Sequence, residues 1–374
     1  MKSFRIDDEA ALSEDRVLQA IYAPSLGKRS RGDVVKVLTA TEEYIKKIQH
    51  LVLSGEYKPR RHQACVINEK GPHKQRTIIK PDYYPEQIVH HIAVDSMKEA
   101  VLYGMDPFVL GSIPGRGAHY GKKYIQKWIR HDPKNTKVIG KLDIRHFFDS
   151  IRHDLCEKIF RDVHMDDALV ALAMHFVKMY QVFEARVTGD ADKIAVLDRG
   201  EGVGVSLGSQ ISQDLALCAP NALDHYVKDE CGVKPFIRYM DDGHAEGSKA
   251  DMLALRERLM DRARAMGFEL HETKTRIVKM SRGFVYLKIR YSTTDTGHVI
   301  RRISRDGIVR MRRKLKRLYG LWRKGKVTLD DIFLSVKSWL GNAKKYADSY
   351  RTRKRILAQY HSLFKGYRME GVIA

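Results

Sequence analysis

The chain has 374 residues, with 68 Lys and Arg against 46 Asp and Glu, a formal net charge of +22 and 43% hydrophobic residues. That length and apolar content support two or three subdomains around a sizeable core and exclude general disorder, although 30% of residues are charged. An excess of 22 positive charges predicts a polyanionic partner, nucleic acid in preference to an anionic membrane surface.

The opening MKSFRIDDEA carries no apolar core of a secretory signal, and no run approaches the ~18 apolar residues that span a bilayer, so no membrane association is expected. Cys65, Cys156, Cys218 and Cys231 are scattered without a C-x-x-C pair, which argues against a zinc site or disulfide framework and for a reducing, cytoplasmic setting.

In chain order, residues 11–55 read as helices with a basic break at Gly27-Lys28-Arg29-Ser30-Arg31. Residues 64–80 read as a basic-tipped β-hairpin turning at 68–72, and residues 86–102 return to helical spacing. Val138 to Ile144 is a short buried strand with Asp143 near its end, and 168–180 a buried helix. Helical segments and a Gly-rich stretch, 200–208, lead to a strand at 235–240. That strand is one arm of a hairpin expected to turn at Asp241-Asp242-Gly243. Strands and helices alternate without regular βαβ spacing, so the fold class is α+β. After residue 300 the chain is helical and basic. Ile308, Met311, Leu315, Leu318 and Trp322 make one apolar stripe, and Arg310, Arg312, Arg313, Lys314, Lys316, Arg317, Arg323 and Lys324 cover the other faces as a backbone-binding surface. A second helix starts at the N-cap Thr328 with Asp330 and Asp331 in its first turn, and buries Ile332, Val336, Trp339, Leu340, Ala343 and Ala347.

Asp143 and the adjacent pair Asp241-Asp242 lie where short apolar strands end, held yet reachable from solvent. Neighbouring carboxylates repel unless a cation sits between them, and hard oxygens with retained waters favour Mg²⁺. Two such ions about 4 Å apart suit in-line phosphoryl transfer.

These residues resemble a known family. Tyr239-Met240-Asp241-Asp242 resembles the Y-x-D-D box of reverse transcriptases, and Asp143 to Phe148 the preceding D-x-x-x-F-F box. Leu207-Gly208 with Ser212-Gln213 falls where that family carries its G-x-x-x-S element, and Leu270 to Thr275 matches L-x-x-x-K-T. Phe284 to Leu287 resembles the primer grip, although Lys288 stands where Gly is usual, and Lys74-Gln75-Arg76 resembles the basic fingers hairpin. Along the chain the six elements follow the family's order and cover about residues 55–290.

The resemblance implies a right-hand polymerase fold with an antiparallel palm sheet: fingers 1–137, palm 138–300 and a basic helical thumb 301–374. It implies an RNA-directed DNA polymerase whose Asp143, Asp241 and Asp242, with the Ile144 carbonyl, hold two Mg²⁺ ions for which Mn²⁺ substitutes. Lys74 and Arg76 would neutralise the dNTP triphosphate, Phe148 would exclude the 2′-hydroxyl, Gly208 and Gln213 would border the nucleotide, Tyr239 and Met240 the primer end, and Lys274 the departing pyrophosphate. The partners are template RNA and its RNA/DNA hybrid. Leu207 and Gln213 replace the usual Gln and Pro of the middle element, a form similar to the reverse transcriptases of diversity-generating retroelements. With it come Gly27-Lys28-Arg29, Ser54 to Tyr57, Gly115 to His119 and Glu201 to Val205. Gly111-Ser-Ile-Pro114, by contrast, replaces the usual Ala-Cys-Arg. That type implies a bacterial or phage enzyme, error-prone at template adenines, working with a small basic accessory oligomer. A phage-defence enzyme copying a non-coding RNA and a group II intron-type maturase are the alternatives. The tail is too short for a ribonuclease H domain plus a thumb.

Overall fold

The computed structural model describes residues 8–55, 57, 63–68, 75–163, 166–179, 182–187, 190–198, 200–294, 296–365 and 367. The strands are β1 Gln63–Asn68, β2 Gln75–Lys80, β3 Val109–Leu110, β4 Val138–Asp143, β5 Val182–Val187 and β6 Asp190–Asp198, followed by β7 Phe236–Tyr239, β8 Asp242–Gly247, β9 Arg276–Lys279, β10 Phe284–Tyr286, β11 Ile289–Thr293 and β12 Val299–Ile303. Helices alternate with them, giving the expected α+β class. No helix among the described residues is long and apolar enough to cross a membrane.

The chain divides into two compact units, neither continuous in sequence. The first comprises Met1–Gly117, Leu142–Gly243 and Leu255–Thr275; the second comprises Ala118–Lys141, His244–Ala254 and Arg276–Ala374. One sheet is five-stranded, ordered β3-β7-β8-β4-β9. The β4–β9 pairing is antiparallel from Val138↔Lys279 to Lys141↔Arg276, and the two-residue β3 pairs parallel to β7.

In the first unit the helices Glu14–Ser25, Gly32–Thr39 and Thr41–Leu53 flank the expected break, where Gly27 takes a φ of +73°. Strands β1 and β2 form the expected antiparallel hairpin in register Gln63↔Lys80. Its tip, with Lys74, lies outside the described residues. The sheet continues as β2-β1-β5-β6 through a second hairpin, β5–β6, for which the sequence reading had only helix. Helix Ile88–Tyr103 buries Ile88, Val89, Ile92, Ala93 and Met97, and helix Asp167–Lys178 buries Leu169, Val170, Ala173, Phe176 and Val177.

In the second unit β10, β11 and β12 form an antiparallel meander. Leu287 and Lys288 make its two-residue turn with φ of +44° and +70°, the left-handed pair of a tight hairpin that Gly satisfies without strain. Lys288 therefore pays a backbone cost that the usual Gly avoids. Helices Arg305–Arg323, Leu329–Lys344 and Ser349–Leu363 close on Met311, Leu315, Leu318, Ile332, Val336, Leu340, Ile356 and Tyr360. Burying such side chains contributes about 1.5–3 kcal/mol each, against a few tenths for each like-charged pair on the exposed Arg/Lys faces, so the bundle closes despite its charge. Thr328 caps the second helix as expected: its hydroxyl accepts from the Asp331 N–H, and the Asp331 carboxylate accepts from the Thr328 N–H. Ala347, placed on the buried face from spacing, is exposed because that helix ends at Lys344.

Candidate active site

All site residues described here belong to the first unit. The hairpin between β7 and β8 turns at Met240-Asp241, not at Asp241-Asp242-Gly243; Asp242 and Gly243 already belong to β8. The shift has a visible cause. Met240 adopts a φ of +56°, unfavourable for a side-chain-bearing residue, and its backbone is held at both ends. Its N–H donates to the Leu110 carbonyl at 3.1 Å, and its carbonyl accepts from Arg238 Nη1 at 2.8 Å. Its thioether packs on Gly111, where a Cβ would lie 3.0 Å from Sδ.

Arg238 is buried, and each of its three guanidinium nitrogens donates a hydrogen bond. Nε donates to the two Asp224 carboxylate oxygens at 2.8 and 2.9 Å; Nη2 donates to Asp224 at 2.6 Å and to the Leu217 carbonyl at 2.8 Å. The two side chains are 3% and 1% exposed, so each charge depends on the other. Burial pushes the Asp224 carboxyl up and the Arg238 charge opposes that. Sequence reasoning missed this pair. Its signal was a single charge, Arg238, inside an apolar strand, which requires a buried counter-charge elsewhere.

At the end of β4, Asp143 is bound into a second backbone crossing. The His271 N–H donates to the Asp143 carbonyl at 2.8 Å, the Arg145 N–H donates to Glu269 at 2.7 Å, and the Thr275 hydroxyl faces the Asp143 backbone. These bonds flank Ile144, which bridges Leu270 and whose own carbonyl is not used by the bridge. Lys274 Nζ sits 2.8 Å from Asp143 Oδ1. The lysine expected at the pyrophosphate thus stands against a metal-binding candidate. The Asp241 carboxyl is pushed up chiefly by burial and further by the Asp143 charge, while Arg76 and Lys274 pull it down. Asp143, Asp241, Arg76 and Lys274 therefore share one electrostatic neighbourhood.

Two carboxylates, Asp143 and Asp241, with Lys274 and Arg76 beside them have the donor chemistry for a divalent cation, and Asp242 follows Asp241 as the first residue of β8. Asp241 is half-buried near a like charge, and Asp143 already holds a cationic partner. Among the described residues, however, no three His, Cys, Asp or Glu side chains converge as a closed metal-ligand set.

Phe147 is the core residue of the aromatic pair, 4% exposed, and Phe148 is half-buried with its ring 5.6 Å from Phe147. The Gly-rich segment holds this turn: the N–H groups of Val205 and Gly204 donate to the Phe148 and Ile151 carbonyls, and the His153 N–H donates to Gly202, each at 2.8 Å. Gly208 lies against another strand of the protein. At its φ of +108° a Cβ would lie 2.2 Å from the Ile79 carbonyl oxygen, so the close approach that needs Gly is to strand β2 of the protein itself. The neighbouring Ile79 N–H donates to the Leu207 carbonyl at 2.8 Å. Gln213 Nε2 donates to Ser112 Oγ at 2.5 Å, which ties the middle element to the Gly111–Pro114 departure. Tyr239, half-buried, lies opposite Leu110 in the β3–β7 pairing. The structure thus brings together Asp143, Asp241, Lys274 and Arg76 electrostatically, and ties Gly208 to β2 and Gln213 to residue 112.

Residues 67–291 match the family described as reverse transcriptase (RNA-dependent DNA polymerase). The chain is a member of the reverse transcriptase family. Its fold is accordingly the polymerase fold of that family, whose members are nucleotidyltransferases that use divalent metal ions. Among solved structures, this reverse transcriptase is similar to apo telomerase from Candida tropicalis truncated from its C-terminal domain, with a TM-score of 0.47 and 10% identity. The alignment covers 68% of this chain and 58% of the telomerase chain, so the reverse transcriptase spans less than two thirds of that protein. No curated protein matches the sequence.

Proposed function

We propose that this reverse transcriptase makes DNA from dNTPs on a dedicated RNA template, and that fingers 1–137, palm 138–300 and thumb 301–374 divide that work. The observation that supports the reading best is the pinned Met240–Asp241 turn, which holds a half-buried Asp241 within the field of Asp143, Lys274 and Arg76. Asp143, Asp241 and Asp242, with the Ile144 carbonyl, would hold two Mg²⁺ ions. When bound, the ions supply activation of the primer hydroxyl and stabilisation of the leaving oxygen.

The protein's own groups do the rest. Arg76, with Lys74, binds the triphosphate in the bidentate manner suited to guanidinium. Lys274 would turn from Asp143 to the departing pyrophosphate and protonate it or stabilise its charge. The half-buried Phe148 ring occupies the space of a 2′-hydroxyl. Gly208 fixes the middle element on β2, and Gln213, Tyr239 and Met240 border the nucleotide and primer end.

The setting we propose is a diversity-generating retroelement of bacterial or phage origin, with a small basic accessory oligomer. Leu207 and Gln213 support it, since an apolar side chain in place of Gln removes a hydrogen bond of about 0.5–1.5 kcal/mol near the nucleotide. Primer extension on the co-purifying RNA, followed by cDNA sequencing, tests the setting. Substitutions concentrated at template adenines are expected; faithful cDNA would contradict the retroelement reading and leave the polymerase reading standing.

A further inference from the structure

We propose that the second unit carries a binding site for single-stranded RNA, separate from the residues assigned above to chemistry. It is an open cleft of about 800 Å³ between helix Ala118–His131, strands β11 and β12 and the end of helix Leu329–Lys344. Lys122, Lys123, Lys127, Arg130, Arg301 and Lys345 line it, and no Asp or Glu does. So many like charges around one concavity raise the energy of the empty cleft and demand a polyanion. Burial and the nearby Lys288 push the Lys122 ammonium down, in keeping with crowding among cations.

A second observation points to a nucleic acid with accessible bases. On the same helix, beside the cationic stripe and away from the buried Gly121, Ile125 and Ile129, Tyr120, Tyr124 and Trp128 form a half-buried ladder. Successive ring centroids are 4.6 and 6.1 Å apart, and Lys127 Nζ stands 5.9 Å from the Tyr124 ring centre. Cations tracking a backbone beside aromatic faces that accept stacked bases are the two parts of a single-strand site, whereas a duplex offers no free base faces to the ladder. Tyr291 adds a polar contact: it lines the cleft, fully buried, and its hydroxyl has no hydrogen-bond partner among the described residues. RNA is the strand assigned because the proposed reaction consumes an RNA template; in this respect the inference rests on the proposed function.

The test uses the full chain and a short fluorescein-labelled oligouridylate, with affinity measured across a salt series. In the combined variant Lys123→Glu, Lys127→Glu, Arg130→Glu, all at exposed positions, the log–log salt slope should become shallower by about 2, at ~0.7 per phosphate contact. Tyr124→Ala should weaken binding about five-fold or more and leave the slope unchanged. The milder Lys123→Gln, Lys127→Gln, Arg130→Gln variant covers the case in which charge reversal unfolds the helix. Primer extension on a preannealed primer–template runs in parallel. If the unaltered protein extends no primer yet the salt slope still falls in the variants, the polymerase reading fails and this site stands. Unchanged slope and affinity, or an equal loss on duplex RNA, would overturn the site.

Discussion

Replacing Arg238 by Met removes the clamp that holds the Met240–Asp241 turn. Asp224 would keep a buried carboxylate without its counter-charge, and the Met240 and Leu217 carbonyls would lose their donors. Breaking one side of a buried ion pair costs about 3–5 kcal/mol, which lowers the melting temperature by about 6–10 °C at ~2 °C per kcal/mol. The loss depends on pH in a definite direction. Burial already raises the Asp224 carboxyl and Arg238 is what pulls it down. Without Arg238 the folded-state value rises further above the unfolded one. Stability of the variant is then retained at low pH, where Asp224 is protonated in both states, and lost as pH rises past the ordinary carboxylate range, so the deficit is larger at pH 8 than at pH 5. A second variant separates folding from positioning. Arg238→Met with Asp224→Leu replaces the pair by apolar groups and should recover most of the melting temperature. Its polymerisation rate should stay about ten- to a hundred-fold low, because the Met240 carbonyl still lacks its donor and the turn can relax. Thermal unfolding and primer extension on the same preparations read both. Full recovery of rate together with stability would refute the positioning role.

Three other substitutions follow from the structure. Glu246 is buried, neither carboxylate oxygen has a hydrogen-bond partner among the described residues, and burial raises its carboxyl well above the usual range. Its stability contribution is therefore present at low pH and lost as pH rises, so Glu246→Gln should gain in melting temperature over the parent at pH 8 relative to pH 5; a pH-independent difference would contradict the neutral-acid assignment. Gly208→Ala drives a Cβ to 2.2 Å from the Ile79 carbonyl at a φ of +108°. It should cost about 1–3 kcal/mol in stability and lower the rate, an outcome excluded if melting and activity match the parent. Lys288→Gly relieves the φ of +70° and should raise stability by about 1 kcal/mol; a lower melting temperature would assign the lysine a contact that outweighs the strain.

Much of this was legible in the sequence where local chemistry and periodicity agree. The apolar stripe of Met311, Leu315 and Leu318, the Thr328 cap and the strand ending in Asp143 are set by short-range patterns, and the structure has them. What was not legible depends on partners distant in sequence. The hairpin turn moved by one residue because Leu110 and Arg238 pin Met240 from outside the turn, overriding the usual preference for Asp-Gly. The need for glycine at Gly208 comes from Ile79, far away in the chain, and the Asp224 partner of Arg238 carries no motif. The β5–β6 hairpin was missed although 182–187 and 194–197 are rich in β-branched and aromatic residues, because a buried helix just before them dominated the reading.

The most direct measurement is Mg²⁺-dependent extension of a DNA primer annealed to RNA, comparing the unaltered chain with Asp241→Asn and Asp143→Asn. Each substitution keeps the shape and removes one carboxylate charge. Robust dNTP incorporation by the parent, reduced a thousand-fold or more (~10³) by either variant while both retain the parent's melting behaviour, is the predicted result. Extension by Asp241→Asn at the parent's rate would contradict the central claim that these acids perform the transfer.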